Sequence, residues 1–227
     1  MITKIVKVDS GRKDATVTFL GDSLSVISEF PSNVKRNLGH AIRCVQAGVD
    51  PPDSKPMPTV GPGVYELRDA DESGWYRVIY LKRIDGCCLY FALFRQKEPK
   101  DTQERFEDSA GTIESIEEGT SRGAHEMTKK LEHKTVKGNI FDALGFDSEE
   151  ALDLKLRSDL LMIINRIIAR KKFSARQLQE VLHEHQPRIS ELLNGKLDKL
   201  SLNRLVRYVA KLGQRVEIRE RRGSVAA

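Results

Sequence analysis

One stretch near the C-terminal end restricts the fold more than any other. Ser174-Ala175-Arg176-Gln177-Leu178-Gln179-Glu180-Val181-Leu182 is followed by His183-Glu184-His185 and then Gln186-Pro187-Arg188-Ile189-Ser190-Glu191-Leu192-Leu193. Leu178, Val181 and Leu182 recur at three- and four-residue steps, the apolar stripe of a short helix that Ser174 is placed to cap. Pro187 belongs in the first turn of a second helix, whose buried side is Ile189, Leu192 and Leu193. Asn194-Gly195-Lys196 then supplies a glycine stop. Two short helices about a three-residue turn form the unit that lays its second helix in the major groove of DNA. The candidate contacts to bases and phosphates are Arg176 and Gln177 on the first helix and His185, Gln186, Arg188, Ser190, Asn194 and Lys196 on and around the second. The same pattern also fits an ordinary helical hairpin with a polar surface.

The distribution of charge favours the first of these readings. The chain carries 38 Lys+Arg against 33 Asp+Glu, a net of +5. Up to Glu126 the count is 17 basic against 20 acidic residues, and from Met127 onward it is 21 against 13. A mildly acidic half is therefore joined to a basic half that carries the helical pair, the electrostatic footprint of a phosphate-backbone binder.

The junction is legible in composition. Ser109 to His125 runs through Gly111, Gly119, Ser121 and Gly123, with an acidic patch at Glu114, Glu117 and Glu118. This divides the chain into a domain over 1–108, a linker over 109–126 and a second domain over 127–227. The first reads as α+β. Ala15–Leu20 is a strand, Asp22-Ser23 starts a short helix through Phe30, and Val34, Leu38, Ala41, Ile42 and Val45 mark a second helix ending at Gly48. Strands follow at Val64–Arg68, Trp75–Arg83 and Cys87–Phe94, separated by turns that include Asp85-Gly86. The simplest architecture is two helices on a small antiparallel sheet. The second domain reads as all-α, with helices at Glu149–Arg157, Ser158–Lys171, the helical pair and Leu202–Leu212, then a terminal strand at Arg215–Arg219.

Several classes are excluded. No apolar run reaches the ~18–20 residues of a membrane span, and Met1-Ile2-Thr3-Lys4 does not open a secretory signal. Cys44, Cys87 and Cys88 form no disulfide framework and have no partners at zinc-ligand spacing, so buried thiols in a reducing cytoplasm are expected. His183 and His185 lack a third ligand. Neither a metal nor a cofactor is expected.

With these motifs laid out, both halves resemble known families. Asp53-Ser54-Lys55-Pro56-Met57-Pro58, Gly61-Pro62-Gly63-Val64-Tyr65-Glu66-Leu67-Arg68 and Gly74-Trp75-Tyr76-Arg77-Val78-Ile79-Tyr80 resemble, in that order, the phage-derived HigB-type branch of the RelE-like toxins, over about residues 15–106. Leu154-Lys155-Leu156-Arg157-Ser158-Asp159-Leu160, Gln186-Pro187-Arg188-Ile189-Ser190 and Leu193-Asn194-Gly195-Lys196 are similar to the HigA-type antitoxins of the Xre helix-turn-helix class. The resemblance implies a fused toxin–antitoxin protein. Its N-terminal half would descend from ribosome-dependent messenger RNA endonucleases, and its C-terminal half would neutralise the toxin and repress its own operon as a homodimer on operator DNA. It also implies catalytic cations at Arg68 and Arg77 on the strands and at Arg95 and Lys97 after the last strand.

The chain departs from both patterns. Ala92 stands where the toxin family places a histidine, and Gln96 replaces a cation. Loss of one such group typically lowers the rate on the order of 10²–10⁴-fold, so the expectation is a weakened or inactive nuclease. The alternative is an active ribosome-dependent endoribonuclease inhibited in cis by the antitoxin domain, and a third reading is a scaffold in which both activities have lapsed. In the helical pair, His183 takes the place of a turn glycine. Glu184 takes that of an apolar plug, where a carboxylate requires a partner.

Overall fold

Period-two alternation in the first half becomes a sheet, and the helical periodicities of both halves close over one side of it. The computed structural model describes residues 5–6, 14–82, 88–96 and 133–216. The first half contains β1 (Ile5–Val6), β2 (Thr16–Leu20), α1 (Ser23–Ser28), α2 (Ser32–Gln46), β3 (Ser54–Pro56), β4 (Val64–Asp71), β5 (Gly74–Lys82) and β6 (Cys88–Gln96). The second contains β7 (His133–Val136), α3 (Ile140–Ala143), α4 (Ser148–Lys171), α5 (Ala175–Leu182) and α6 (Gln186–Leu193). A 3₁₀ turn (Leu197–Lys199), α7 (Leu202–Lys211) and β8 (Arg215–Val216) complete it. The linker expected at Ser109–Glu126 lies outside the described residues.

Strands β3-β4-β5-β6-β2-β7 form one sheet, antiparallel except for the parallel pair β2–β6. The last strand comes from the second half: β7 runs antiparallel to β2, with Val17 opposite Val136 and Thr18 opposite Thr135. Sequence reasoning missed it, because four residues between polar neighbours carry too little alternation. It covers what would otherwise be the open edge at β2, whereas the edge at β3 is kept short and ends on Pro56. The terminal strand β8 pairs in parallel with β1.

Two expected boundaries are corrected. The helix from Asp22 ends at Ser28, not Phe30, since Pro31 disfavours helical backbone in the residue before it. The helices expected at Glu149–Arg157 and Ser158–Lys171 are one helix, α4, capped by the Asp147 carboxylate, which accepts from the backbone N–H groups of Glu149 and Glu150. Ser158-Asp159 imitates a helix start, because such residues favour caps. Both side chains are instead buried and held by α2.

Helix α2 is where the halves meet. Val34, Leu38, Ile42 and Val45 form its apolar stripe, in one core cluster with Leu67, Tyr76 and Val78 of the sheet. A second stripe, Arg36, Gly39, His40 and Arg43, faces the helical half. Arg36 Nη2 lies 2.7 Å from Glu150 Oε1, and Arg43 Nε lies 3.0 Å from Asp159 Oδ1. His40 Nδ1 lies 2.7 Å from Ser158 Oγ. Lys35 and Arg36 also cover the Phe146 ring at 4.9 and 5.9 Å. Gly39 permits this approach, since a Cβ there would fall 2.6 Å from the Phe141 ring. The apolar core continues across the junction through Phe141, Leu154, Leu161 and Leu205.

Burial lowers the His40 pKa from 6.5 to about 4, and burial pushes the neighbouring Cys44 thiol up to about 12. Neutral His40 is thus a condition of docking. Below pH 6.5 the unfolded chain binds a proton that the folded chain refuses, so stability falls as pH drops from 6.5 towards about 4. The full loss amounts to about 3 kcal/mol. Urea unfolding followed between pH 7 and 4 should show this slope, and His40→Gln, which keeps a hydrogen bond without titrating, should flatten it.

Candidate nucleic-acid interfaces

The helical pair has the expected form. Ser174 and Gln177 make a reciprocal capping box, with Ser174 N donating to Gln177 Oε1 at 2.9 Å and Gln177 N donating to Ser174 Oγ at 3.3 Å. Leu178 and Leu182 of α5 and Ile189 and Leu192 of α6 are buried. His183 has φ +50°, a left-handed conformation that a glycine would adopt without strain. Glu184 has the partner its position demands: Tyr208 Oη, from α7, donates to Glu184 Oε1 at 2.9 Å. Burial and then this carboxylate push the Tyr208 pKa up.

The sequence-derived contact residues are not equivalent. Arg176, His185 and Gln186 are exposed. Arg176 sits 3.7 Å from Glu180 in a solvent-facing pair. Arg188 Nη1 donates to Glu191 Oε2 at 2.7 Å, and Ser190 Oγ accepts from Asn194 Nδ2 at 3.1 Å. The Gln177 side chain is held in the capping box. Lys196 is committed to the other half of the chain, where its ammonium pairs with Asp69 of β4, a carboxylate only 2% exposed that also accepts from Asn37 Nδ2 at 2.9 Å. Beside it, Gly195 has φ +68°, and a Cβ there would meet His40 and Pro52 at 3.1 Å. Asp198 N donates to Asn37 Oδ1 at 3.1 Å. The turn leaving α6 is thus wedged between α2 and β4. Asn37 and Asp69 escaped sequence reasoning because each has only a local polar signature, and their partners in the helical half lie more than a hundred residues away.

The other face of the sheet carries a second cluster. Strand pairing sets Arg68 opposite Arg77 and Glu66 opposite Ile79. Arg77 Nη1 donates to Glu66 Oε1 at 2.9 Å, and Arg68 Nε lies 3.5 Å from Glu66 Oε2. Glu66 is almost wholly buried, whereas Arg77 is partly exposed. A carboxylate held by two guanidinium groups fixes their orientation, and the partly exposed Arg77 can face a phosphate. Glu66 was not among the expected site residues, although its two-residue spacing from Arg68 was the available signal. Arg95, expected beyond the last strand, lies inside β6, which continues to Gln96, and it is in register with Tyr76. Gln96 is in register with Trp75 and Ala92 with Ile79. Lys97 lies outside the described residues.

Among the described residues no group of three or more His, Cys, Asp or Glu side chains could hold a metal, and no helix is long and apolar enough to cross a membrane. Residues 25–112 match the family model described as phage derived protein Gp49-like, and residues 140–220 match one described as helix-turn-helix domain. No curated protein and no solved structure matches the chain.

If Lys196 serves docking, its removal is a stability defect. Lys196→Ala should lower the unfolding free energy by about 1–3 kcal/mol, because Asp69 is left buried without its cation. Adding Asp69→Asn to that variant should restore most of the loss. A double-mutant cycle in urea reads the coupling directly; a coupling near zero would make the contact incidental.

Proposed function

The chain is a Gp49-like, RelE/HigB-type toxin domain fused to an Xre-like helix-turn-helix domain, and on that footing we propose a self-contained toxin–antitoxin module. Its helical half represses its own operon as a homodimer on operator DNA and holds the N-terminal half in check. The observation that carries this reading is the docking of the helical half on α2, together with the strand β7 that it adds to the toxin sheet. One chain thereby contains both the contact that neutralises a toxin and the element that reads DNA. A homodimer suits the reading, since one helix-turn-helix covers too few base pairs and two half-sites lie about one helical turn apart. With β8 paired to β1, the exposed Leu152 and Leu156, one turn apart on α4, offer an apolar seam for the second copy. We place the protein in the cytoplasm, where its operator and messenger RNA are found.

For the toxin half the proposal is a weakened messenger RNA endonuclease, with Arg68, Arg77, Arg95 and Lys97 as the remaining cations and Ala92 and Gln96 as the losses. Attraction to the ribosome or to messenger RNA needs only the charge and can outlast the chemistry. A second reading, an active endoribonuclease inhibited in cis, is favoured by one observation: Arg68 and Arg77 stay side by side on the sheet, both held by the Glu66 carboxylate.

Two experiments test these statements. In mobility shifts on DNA from upstream of the reading frame, the full chain should bind in preference to random DNA. Arg188→Ala, whose guanidinium must leave Glu191 to reach a base, should weaken that binding by about 1–3 kcal/mol; equal affinity for random DNA sinks the repressor reading. Expression of residues 1–110 alone should arrest growth weakly or not at all. Strong arrest that both Arg77→Ala and Glu66→Gln abolish would establish the second reading instead.

A further inference from the structure

The only tryptophan in the chain is left in solvent. Trp75 is 55% exposed near the start of β5, while Tyr76, Val78 and Tyr80 on the alternate positions are buried. A side chain of this size normally gains from burial, so its exposure calls for a ligand or a reason. Its row is set by strand pairing: Trp75, Arg77 and Ile79 lie on β5 opposite Ala70, Arg68 and Glu66 on β4, with Lys55 of β3 opposite Glu66. Ala70, directly across from the indole on β4, is small and exposed. The helical half docks on α2, which packs against the alternate β4 positions Leu67 and Asp69; on the opposite side Ile79 and Glu66 are buried, and the row opens towards solvent at Arg77 and Trp75.

We infer that Trp75 is a base-stacking platform for single-stranded RNA, with Arg77 and Arg68 as the phosphate partners along the same row. The inference rests on the reading of the N-terminal half as an RNA-directed toxin domain and names how that half holds its ligand. An indole offers a flat face to any unpaired base, whereas paired bases already stack on each other and present only edges and backbone. Two residues along a strand span about 6.6 Å, the scale of one nucleotide, so a base on Trp75 brings its neighbouring phosphate to Arg77. Lys55, Arg68 and Arg77 outnumber Asp53 and Glu66 around the row, which suits a polyanion. Binding of this kind needs neither Ala92 nor Gln96 to act, and it tolerates any base sequence.

A lone tryptophan makes the test direct. The full chain is titrated with 2′-O-methyl octauridine, which cannot be cleaved by attack of its own 2′-oxygen, and with the same length of RNA duplex. Tryptophan fluorescence and the anisotropy of a labelled oligonucleotide are both followed. The single strand should quench the fluorescence, and the duplex should not. By anisotropy, Trp75→Ala should weaken binding about tenfold or more, and Trp75→Phe should stay within about threefold of the parent. Binding of the single strand with unchanged fluorescence, and with Trp75→Ala as tight as the parent, overturns the stacking platform while leaving the RNA reading intact. Absence of any binding by the folded parent overturns both.

Discussion

A buried ion pair, Arg43 to Asp159, with the His40–Ser158 hydrogen bond beside it, joins two halves that composition alone would separate. Such pairs add little net stability, because desolvation cancels most of the attraction, but removal of either partner leaves a buried charge and costs about 3–5 kcal/mol. Their effect is therefore on register. Arg43 also lies 2.7 Å from Asp14, so one guanidinium ties the N-terminal segment, α2 and α4 together. Apolar contacts such as Gly39 against Phe141 supply attraction without direction; the polar contacts select one way of docking.

Docking uses residues that each half also needs elsewhere. Helix α2 is the main helical support of the toxin sheet, yet its second stripe is consumed by the helical half. The turn leaving the recognition helix is held against Asp69, so the cation at Lys196 is paired inside the chain instead of standing free for phosphate. The orientation of α6 is thereby referred to the toxin sheet through a single turn, and a change on either side has a direct mechanical route to the other. The opposite face of the sheet, with Glu66, Arg68, Arg77 and Trp75, stays outside this contact.

The positions at which the chain departs from family expectation have different physical outcomes. Glu184, a carboxylate in a plug position, is accommodated by the Tyr208 hydroxyl, and His183 adopts the left-handed conformation that the turn imposes. The helical pair therefore keeps its geometry with unusual residues. On the sheet, Ala92 brings no proton-transferring group to the row of Ile79, and the Glu66 carboxylate is paired with both arginines.

Much of this was legible in the sequence because its causes are local. The capping box at Ser174, the stripes of α5 and α6, the stripe Val34–Val45 of α2 and the alternation in β4 and β5 each arise within a few residues, where helix and strand periodicity act directly. The paired families, too, are carried by short ordered blocks. Tertiary structure alone decided the rest. Ser158-Asp159 looks like a cap until α2 supplies His40 and Arg43; β7 is too short to announce itself until β2 offers an edge. Lys196 reads only as a DNA contact until folding sets it beside Asp69, 127 residues away in sequence. A polar side chain with several possible partners has its role set by which of them folding brings within reach, and pattern along the chain carries no record of that distance.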